Sequence, residues 1–219
     1  MKLRIAALGL LALCASVQAK TPVWQPAAGN TQVPIWPGVA PDLQPVPGPE
    51  TAKVSEKLLA GKPATAVTNV TQPTMTVYAP TGKNTGAAVI VIPGGGFQIL
   101  AIDLEGTETC DWLTSRGITC VLLKYRVPSL PYDWKCDCRP HNFALSVSSL
   151  QDVQRTMRLV RSQAAALHVD PHRIGVLGYS AGGFLVAEIS TNFDRHLYAP
   201  VDAADRESAR PDFAMPIYP

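Results

Sequence analysis

One stretch of the chain, residues 173–190, limits the possible folds more than any other part of the sequence. It begins with an apolar run at 174–177, which has the length and composition of a buried strand. The run breaks at Gly178-Tyr-Ser-Ala-Gly182 and resumes at 184–189 as an apolar segment that suits a helix. Strand, G-x-S-x-G and helix in this order predict a tight turn that lifts the Ser180 hydroxyl above a sheet edge. A glycine-rich turn with a capping serine is the plainer interpretation.

A second glycine motif, Gly94-Gly95-Gly96, directly follows a continuously apolar run at 87–92 that is typical of a strand buried on both faces. Glycine lets the backbone turn its N–H groups inward and approach a substrate without a Cβ in the way. The N–H groups of Gly95 and Gly96 would then join that of Ala181 as donors to an oxyanion. A flexible turn explains either motif alone. Two motifs in this order, each after a buried strand, predict acyl transfer with Ser180 as the nucleophile.

The rest of the pattern alternates between strands and helices, which predicts a parallel α/β sheet with helices on both faces. Strands are predicted at 74–78 (an antiparallel edge strand), 87–92, 119–125, 174–177 and 213–218. A helix is expected over about 105–116, with Trp112 and Leu113 facing the sheet and Gly117 ending it.

A longer amphipathic helix is predicted from apolar residues spaced three and four apart. Its apolar positions are Leu150, Val153, Met157, Val160, Ala164 and Leu167, and the polar positions between them are Gln151, Asp152, Arg155, Arg158 and Arg161.

The N-terminal part of the chain divides into two segments before the domain that starts at residue 67. Residues 1–19 resemble a signal peptide, with Lys2 and Arg4 ahead of a short apolar core and small residues at the cleavage positions. A lipid anchor on Cys14 is the alternative, which the bulky Leu13 disfavours. Residues 20–66 form a proline-rich arm that cannot be helical and is expected to lie extended over the domain, although a flexible linker is an alternative. The pattern predicts export to the periplasm or the medium.

Export would place four cysteines, Cys110, Cys120, Cys136 and Cys138, in an oxidising compartment. Four cysteines allow three pairings, and the sequence does not choose among them; Cys120 also reads as a small buried apolar residue. Cys136 and Cys138 with His141 provide three ligands, fewer than the four of a structural zinc site, so no metal is expected.

The net charge of the chain argues against nucleic-acid binding. Lys2 and Arg4 are two of 19 basic residues, so cleavage after residue 19 would leave 17 basic against 17 acidic residues. A neutral protein of this kind is not expected to bind nucleic acid, and no transmembrane segment is predicted.

The chain resembles the α/β-hydrolase esterase/lipase superfamily, above all its secreted bacterial branch of acetyl-xylan and feruloyl esterase-like (BD-FAE-like) enzymes. The residues that carry the resemblance are Pro93-Gly-Gly-Gly-Phe97, Asp103-Leu-Glu-Gly106, Trp112-Leu113, Leu122-Leu-Lys-Tyr-Arg126-Val-Pro128, Leu150-Gln-Asp-Val-Gln-Arg155, Asp170-Pro171, Gly178-Tyr-Ser-Ala-Gly-Gly183, Arg210-Pro-Asp-Phe213 and Tyr218-Pro219. The resemblance implies hydrolysis of carboxylic esters, such as acetyl or feruloyl groups on plant polysaccharide, without a metal or organic cofactor.

The catalytic base is not found. In this fold the acid and the histidine of the triad follow the serine, each after a later strand. His196 is the only histidine after Ser180, and Asp194, Asp202, Asp205 and Asp212 come too early for the acid. His141, His168 and His172 precede the serine, and all four histidines, His196 included, are interpreted as surface or loop residues.

We therefore expect an α/β-hydrolase domain over 67–219 that lacks its last strands, the triad acid and the histidine. An inactive remnant or binding module, and a peptidase or amidase of the same fold, are the alternatives to an esterase. The oligomeric state is left open.

Overall fold

The computed structural model describes residues 23–56, 58–59, 61–127 and 144–219, with the backbone alone for 144–146. The predicted signal peptide at 1–19 and the residues Cys136, Cys138 and His141 lie outside this part of the chain. Its strands are β1 (Gln32–Pro34), β2 (Thr51–Val54), β3 (Thr65–Thr68), β4 (Thr74–Tyr78), β5 (Ala88–Ile92), β6 (Ile99–Ala101), β7 (Thr119–Lys124), β8 (Ile174–Tyr179) and β9 (Phe213–Ile217). Its helices are α1 (Glu108–Ser115), α2 (Ala144–Ser162) and α3 (Ala181–Asn192), with a π-helical turn at Asp103–Thr107 and a 3-10 turn at Ala203–Arg206.

Six strands form the main sheet in the order β1-β4-β7-β5-β8-β9, and a smaller antiparallel sheet has the order β2-β3-β6. In the main sheet β7, β5, β8 and β9 are mutually parallel, while β4 runs antiparallel to both of its neighbours. The predicted parallel α/β architecture is confirmed. One detail of the prediction is wrong, because β1 covers β4 and removes it from the edge.

Strand order determines which face each helix covers. The chain crosses from β5 to β7 in one direction along the sheet, and then from β7 to β8 and on to β9 in the opposite direction. Because crossovers between parallel strands are right-handed, α1 must cover one face and α2 and α3 the other. The helices observed in contact with each other are indeed α2 and α3, while α1 packs on β7 and β5.

The first helix differs from its prediction in its beginning and in one side chain. A π-helical turn occupies the first residues of the predicted span, and the α-helix follows from Glu108. Leu113 is buried against the sheet as expected, and Gly117 ends the unit with a φ of 78°. Trp112 is 56% exposed rather than facing the sheet, and it packs beside the Arg116 guanidinium. The helix buries the face that carries Cys110 and Leu113, and Trp112 lies outside that face.

The second helix is present but buries both of its faces. It ends at Ser162, before the predicted positions Ala164 and Leu167. Four of the five residues that the pattern placed on a polar face are buried as well: Gln151 and Asp152 fully, Arg155 at 1% exposed, and Arg158 at 8%. The spacing of polar residues predicts which side of a helix faces solvent. It cannot show that other parts of the chain cover that side.

Two segments cover the polar residues of α2: the arm, which precedes the helix in sequence, and the segment after α3. From the arm, the carbonyl of Ile35 accepts a hydrogen bond from Arg155 at 2.9 Å, and Trp36 donates its indole N–H to Asp152 at 2.8 Å. From the segment after α3, the carboxylates of Asp202 and Asp205 both pair with the Arg155 guanidinium. These buried polar groups are paired, as groups removed from water must be if the fold is to be stable.

The proline-rich arm has more structure than its composition indicates. Its residues form β1, which pairs with β4, and β2, which pairs with β3. Trp36 is 4% exposed and lies in the hydrophobic core. The arm is therefore extended, as expected, and its residues 32–54 add strands to both sheets. The boundary at residue 67 remains a prediction; it falls inside β3.

Candidate active site

Ser180 stands at the junction of β8 and α3, at the carboxyl end of the parallel strands. Its φ of 50° and ψ of −117° lie in a region that side chains other than glycine rarely adopt, a strain typical of functional turns. Two backbone hydrogen bonds hold this conformation: the Ser180 N–H donates to Ile217 O at 3.0 Å, and the Phe184 N–H donates to Ser180 O at 2.8 Å. The predicted strand, turn and helix are therefore all present around this serine.

The two glycines of the G-x-S-x-G pattern are required by backbone contacts. A Cβ on Gly178 would lie 2.3 Å from Gly182 O, and a Cβ on Gly182 would lie 2.0 Å from Ile92 O. Both distances are far below van der Waals contact. The turn therefore packs backbone against backbone, with α3 resting on the end of β5.

The glycine loop after β5 lies beside this turn. A Cβ on Gly94 would lie 3.1 Å from the Cβ of Ser180 and 2.5 Å from Tyr179 O. Gly95 and Gly96 have φ values of 133° and 61°, which favour glycine. The structure thus brings the two glycine motifs together at one edge of the sheet.

Planar peptides orient the loop's N–H groups. Gly94 O accepts the Ala101 N–H at 3.0 Å, and Gly95 O accepts the Ile99 N–H at 3.1 Å. In a trans peptide the N–H points away from the preceding C=O, so these bonds turn the N–H groups of Gly95 and Gly96 the opposite way. Within the described residues neither N–H has a recorded protein acceptor. Both therefore remain available as donors.

Two further side chains support the loop, and sequence reasoning gave neither of them a role. The Tyr125 hydroxyl donates to Pro93 O at 2.7 Å, and the Glu105 carboxylate accepts the Gly94 N–H at 2.8 Å. The same carboxylate accepts the hydroxyl of Tyr218 at 2.6 Å. Burial, and secondarily the charge of Glu105, raises the pKa of Tyr125, which keeps its hydroxyl a donor. Each residue lies within a segment that carries the family resemblance, and this was the only available signal.

None of the histidines in the described part of the chain forms a hydrogen bond with Ser180. His168 and His172 are exposed and precede β8, at the end of that strand opposite Ser180, and His196 is exposed beyond α3. Within this part of the chain no hydrogen-bond partner is recorded for the Ser180 hydroxyl. The base that would activate it is therefore not among the observed contacts.

The later aspartates have structural partners. Asp202 and Asp205 pair with Arg155, and Asp212 accepts the Ile174 N–H and pairs with Arg161. Hydrogen bonds from Arg155 lower the pKa of Asp202 below its usual range. These carboxylates fix the segment between α3 and β9 to α2 and β8.

Cys110 on α1 is bonded to Cys120 on β7, and both are fully buried. This is one of the three pairings that the sequence left open. Across the described ranges no cluster of three or more metal-ligating side chains is found, and no helix there has the length and hydropathy to cross a bilayer.

Comparison with known proteins agrees with this geometry. The family model BD-FAE matches residues 75–214, which include both glycine motifs. The chain belongs to the BD-FAE family. An acetylxylan esterase of Xylanibacter ruminicola is 30% identical to this BD-FAE chain over 138 residues, covering 61% of the chain and 22% of the relative. An ethyl acetate hydrolase of Pseudomonas putida is 27% identical over 134 residues, covering 61% and 35% respectively.

Solved structures confirm the α/β-hydrolase fold of this BD-FAE chain. The acetyl ester-xyloside bifunctional hydrolase of Caldicellulosiruptor lactoaceticus matches with a TM-score of 0.55 and 30% identity, over 89% of this chain and 57% of that one. Esterase 2 of Thermogutta terrifontis matches with a TM-score of 0.50 and 24% identity, over 73% and 50%, which shows the fold alone. The chain thus spans between about a fifth and three fifths of the length of these proteins.

Proposed function

We propose that this BD-FAE domain hydrolyses carboxylic esters with Ser180 as the nucleophile. The observation that carries the proposal is the position of the strained serine beside a loop whose Gly95 and Gly96 N–H groups have no recorded acceptor within the described residues. Membership in the BD-FAE family and the activities for which the similar proteins are named support an ester as the substrate.

The reaction follows from the groups that meet at this edge. Ser180 Oγ attacks the ester carbonyl, and the negative charge that forms on the carbonyl oxygen is met by the N–H groups of Gly95, Gly96 and Ala181. Collapse breaks the C–O bond, releases the alcohol and leaves an acyl-serine, which water then hydrolyses to the free acid. The serine proton must pass to a base and from that base to the oxygen of the departing alcohol, and no described side chain is seen to accept it.

The substrate class is proposed as acetyl or feruloyl groups on plant polysaccharide. The relatives named for acetylxylan and acetyl ester-xyloside hydrolysis support the acetyl case. Export is part of the proposal: residues 1–19 have the pattern of a signal peptide, and the Cys110–Cys120 disulfide suits an oxidising compartment.

The test compares the purified 219-residue chain with Ser180→Ala on 4-nitrophenyl acetate and on 4-nitroacetanilide. Because no base for Ser180 is found among the described residues, we expect weak hydrolysis of the ester, less of the anilide, and loss of this weak activity in Ser180→Ala. Ser190→Ala on α3, whose hydroxyl donates within the helix to Val186 O, is the matched control and should keep full activity. Labelling with a fluorophosphonate should place the adduct on Ser180 by mass spectrometry. Equal ester hydrolysis by Ser180→Ala and wild type would refute the proposal.

A further inference from the structure

One carboxylate, that of Glu105, connects three segments at the edge of the sheet that carries Ser180. Its Oε2 accepts the N–H of Gly94, which follows β5, at 2.8 Å. Its Oε1 accepts the hydroxyl of Tyr218, which follows β9, at 2.6 Å. Glu105 itself lies in the π-helical turn ahead of α1. The two oxygens of one side chain thus join its own turn to the loop 11 residues before it and to the segment 113 residues after it.

The hydrogen bond to Gly94 completes the restraints on the glycine loop. The carbonyls of Gly94 and Gly95 are already held by Ala101 and Ile99, and these bonds fix two successive peptide planes. The peptide before them is held on both sides, because its Gly94 N–H donates to Glu105 and its Pro93 C=O accepts the Tyr125 hydroxyl. With all three planes held, the N–H groups of Gly95 and Gly96 keep their direction without the loop having to reorganise when charge develops.

The carboxylate also lies close to the serine. A Cβ on Gly94 would be 2.7 Å from Glu105 Oε2 and 3.1 Å from the Cβ of Ser180, so Gly94 is packed tightly beside both side chains. A negative charge this near an oxyanion site would oppose catalysis if its oxygens were free. Here both oxygens accept hydrogen bonds, which are stronger because the acceptor is ionised.

Tyr218 is held in an unfavourable backbone conformation at the other end of this connection. Its φ is 35°, uncommon for a residue with a side chain, and its ring lies 6.0 Å from that of Tyr179. Tyr218 is 62% exposed, but desolvation of its hydroxyl, and then the hydrogen bond to Glu105, raises its pKa, so the hydroxyl remains a donor. The hydrogen bond to Glu105 and the ring contact with Tyr179 are the contacts that hold Tyr218 in this conformation.

We propose that Glu105 is a positioning residue: it holds the oxyanion loop through Gly94, and the segment after β9 through Tyr218, in the geometry that the transition state requires. This inference rests on the proposed ester hydrolysis. It assigns no proton transfer to Glu105, because both of its oxygens are occupied by hydrogen bonds.

The test uses three variants of the 219-residue chain: Glu105→Ala, Glu105→Gln and Tyr218→Phe. Glutamine can place its amide oxygen at the Gly94 N–H and its amide nitrogen at the Tyr218 hydroxyl, which then accepts, so it retains both contacts without the charge. We expect Glu105→Ala to lower kcat by about 10- to 100-fold with little change in KM, since removal of a direct oxyanion donor costs about 100- to 1000-fold. Glu105→Gln should remain within about threefold of wild type, and Tyr218→Phe should fall between the two.

A second readout does not depend on catalysis. Amide hydrogen exchange of peptides covering residues 93–101 should be at least about tenfold faster in Glu105→Ala, because the Gly94 N–H loses its acceptor. The same peptides should exchange at the wild-type rate in Glu105→Gln. Glu108→Ala, which removes an exposed carboxylate paired with Lys62, is the matched control and should change neither kcat nor exchange.

The outcomes separate this inference from the proposed function. If wild type hydrolyses no ester, the proposed function fails, and exchange of the loop still decides whether Glu105 positions it. If Glu105→Ala matches wild type in kcat and in exchange, the positioning role is refuted. If Glu105→Gln loses as much activity as Glu105→Ala while its loop exchanges normally, the charge matters instead, and positioning is again refuted.

Discussion

The indole N–H of Trp36 donates to the carboxylate of Asp152 at 2.8 Å, joining residues 116 positions apart in sequence. Asp152 also accepts hydrogen bonds from the guanidinium and the backbone N–H of Arg126. One buried carboxylate on α2 therefore connects that helix to the arm and to the residues that follow β7. Because every partner in this group is removed from water, the loss of one leaves the others without compensation. The arm is therefore an integral part of the folded domain.

Replacing Trp36 tests this connection. Trp36→Phe keeps a six-membered aromatic ring but removes the five-membered ring with its N–H, and we expect a loss of at least about 1–2 kcal/mol in the free energy of unfolding. Trp112→Phe, at a tryptophan that is 56% exposed on α1, should cost less than about 0.5 kcal/mol. Urea unfolding followed by far-UV circular dichroism measures both. Equal losses in the two variants would show that the arm is not anchored through Trp36.

Acid should destabilise the protein through the carboxylates that pair with Arg155. Hydrogen bonds from Arg155 lower the pKa of Asp202. Burial acts to raise the pKa of Asp205, but the hydrogen bonds that its carboxylate accepts outweigh burial and lower this pKa as well. These bonds come from Tyr198, Val201 and Arg155. A carboxyl whose pKa is lower in the folded state stabilises the fold above its unfolded pKa of about 3.9, and this stabilisation is lost as the pH falls through the folded pKa.

The urea midpoint should therefore fall more steeply below about pH 4 in wild type than in Asp205→Asn, which has lost one of the titrating groups. At neutral pH the variant should be less stable by about 1–3 kcal/mol. Asp194→Asn, at an exposed aspartate nearby, makes the same change in charge and should keep the wild-type profile. A wild-type pH profile in Asp205→Asn would contradict the assignment.

The contact between the turn and β5 can be tested at Gly182. An alanine Cβ there would meet Ile92 O at 2.0 Å, so Gly182→Ala should displace α3 and cost about 2–4 kcal/mol. Gly38→Ala is the control, since a Cβ at Gly38 meets no atom within 4 Å. Thermal unfolding compares the two variants. An unchanged melting temperature in Gly182→Ala would mean that the helix moves away without cost.

The disulfide should contribute measurably to stability. It closes a loop of 10 residues between α1 and β7, for which chain entropy predicts about 2–3 kcal/mol. The double variant Cys110→Ala/Cys120→Ala should lose this amount. Dithiothreitol should lower the stability of wild type and leave the double variant unchanged. If dithiothreitol lowers the stability of both proteins equally, the loss of stability arises from other cysteines and not from the Cys110–Cys120 disulfide.

The sequence was informative where a contact is local. The strand, the turn at Ser180 and the following helix lie in 18 consecutive residues, and the small residues that the turn needs are visible in the pattern. The glycine loop could also be predicted from the sequence, because it directly follows an apolar strand. The order of these elements was enough to predict the parallel sheet.

The sequence was misleading where a contact is distant. Arg155 reads as a solvent-facing residue of an amphipathic helix, and only the paths of the arm and of the segment after α3 bury it. Glu105 and Tyr218 are 113 positions apart, and no periodicity relates them. Trp112 was placed toward the sheet because it is large and apolar, but α1 buries other residues.

Gly178 and Gly182 have a consequence for reading related sequences. A Cβ at Gly182 would meet Ile92 O at the end of β5, and a Cβ at Gly178 would meet Gly182 O at the start of α3, so a side chain at either site must displace α3. A relative with a larger residue at one of these positions would have to place its serine farther from the glycine loop. The spacing of the pattern thus indicates how closely the serine and the glycine loop pack, and a relative in which it is interrupted would be expected to lose the proposed ester hydrolysis.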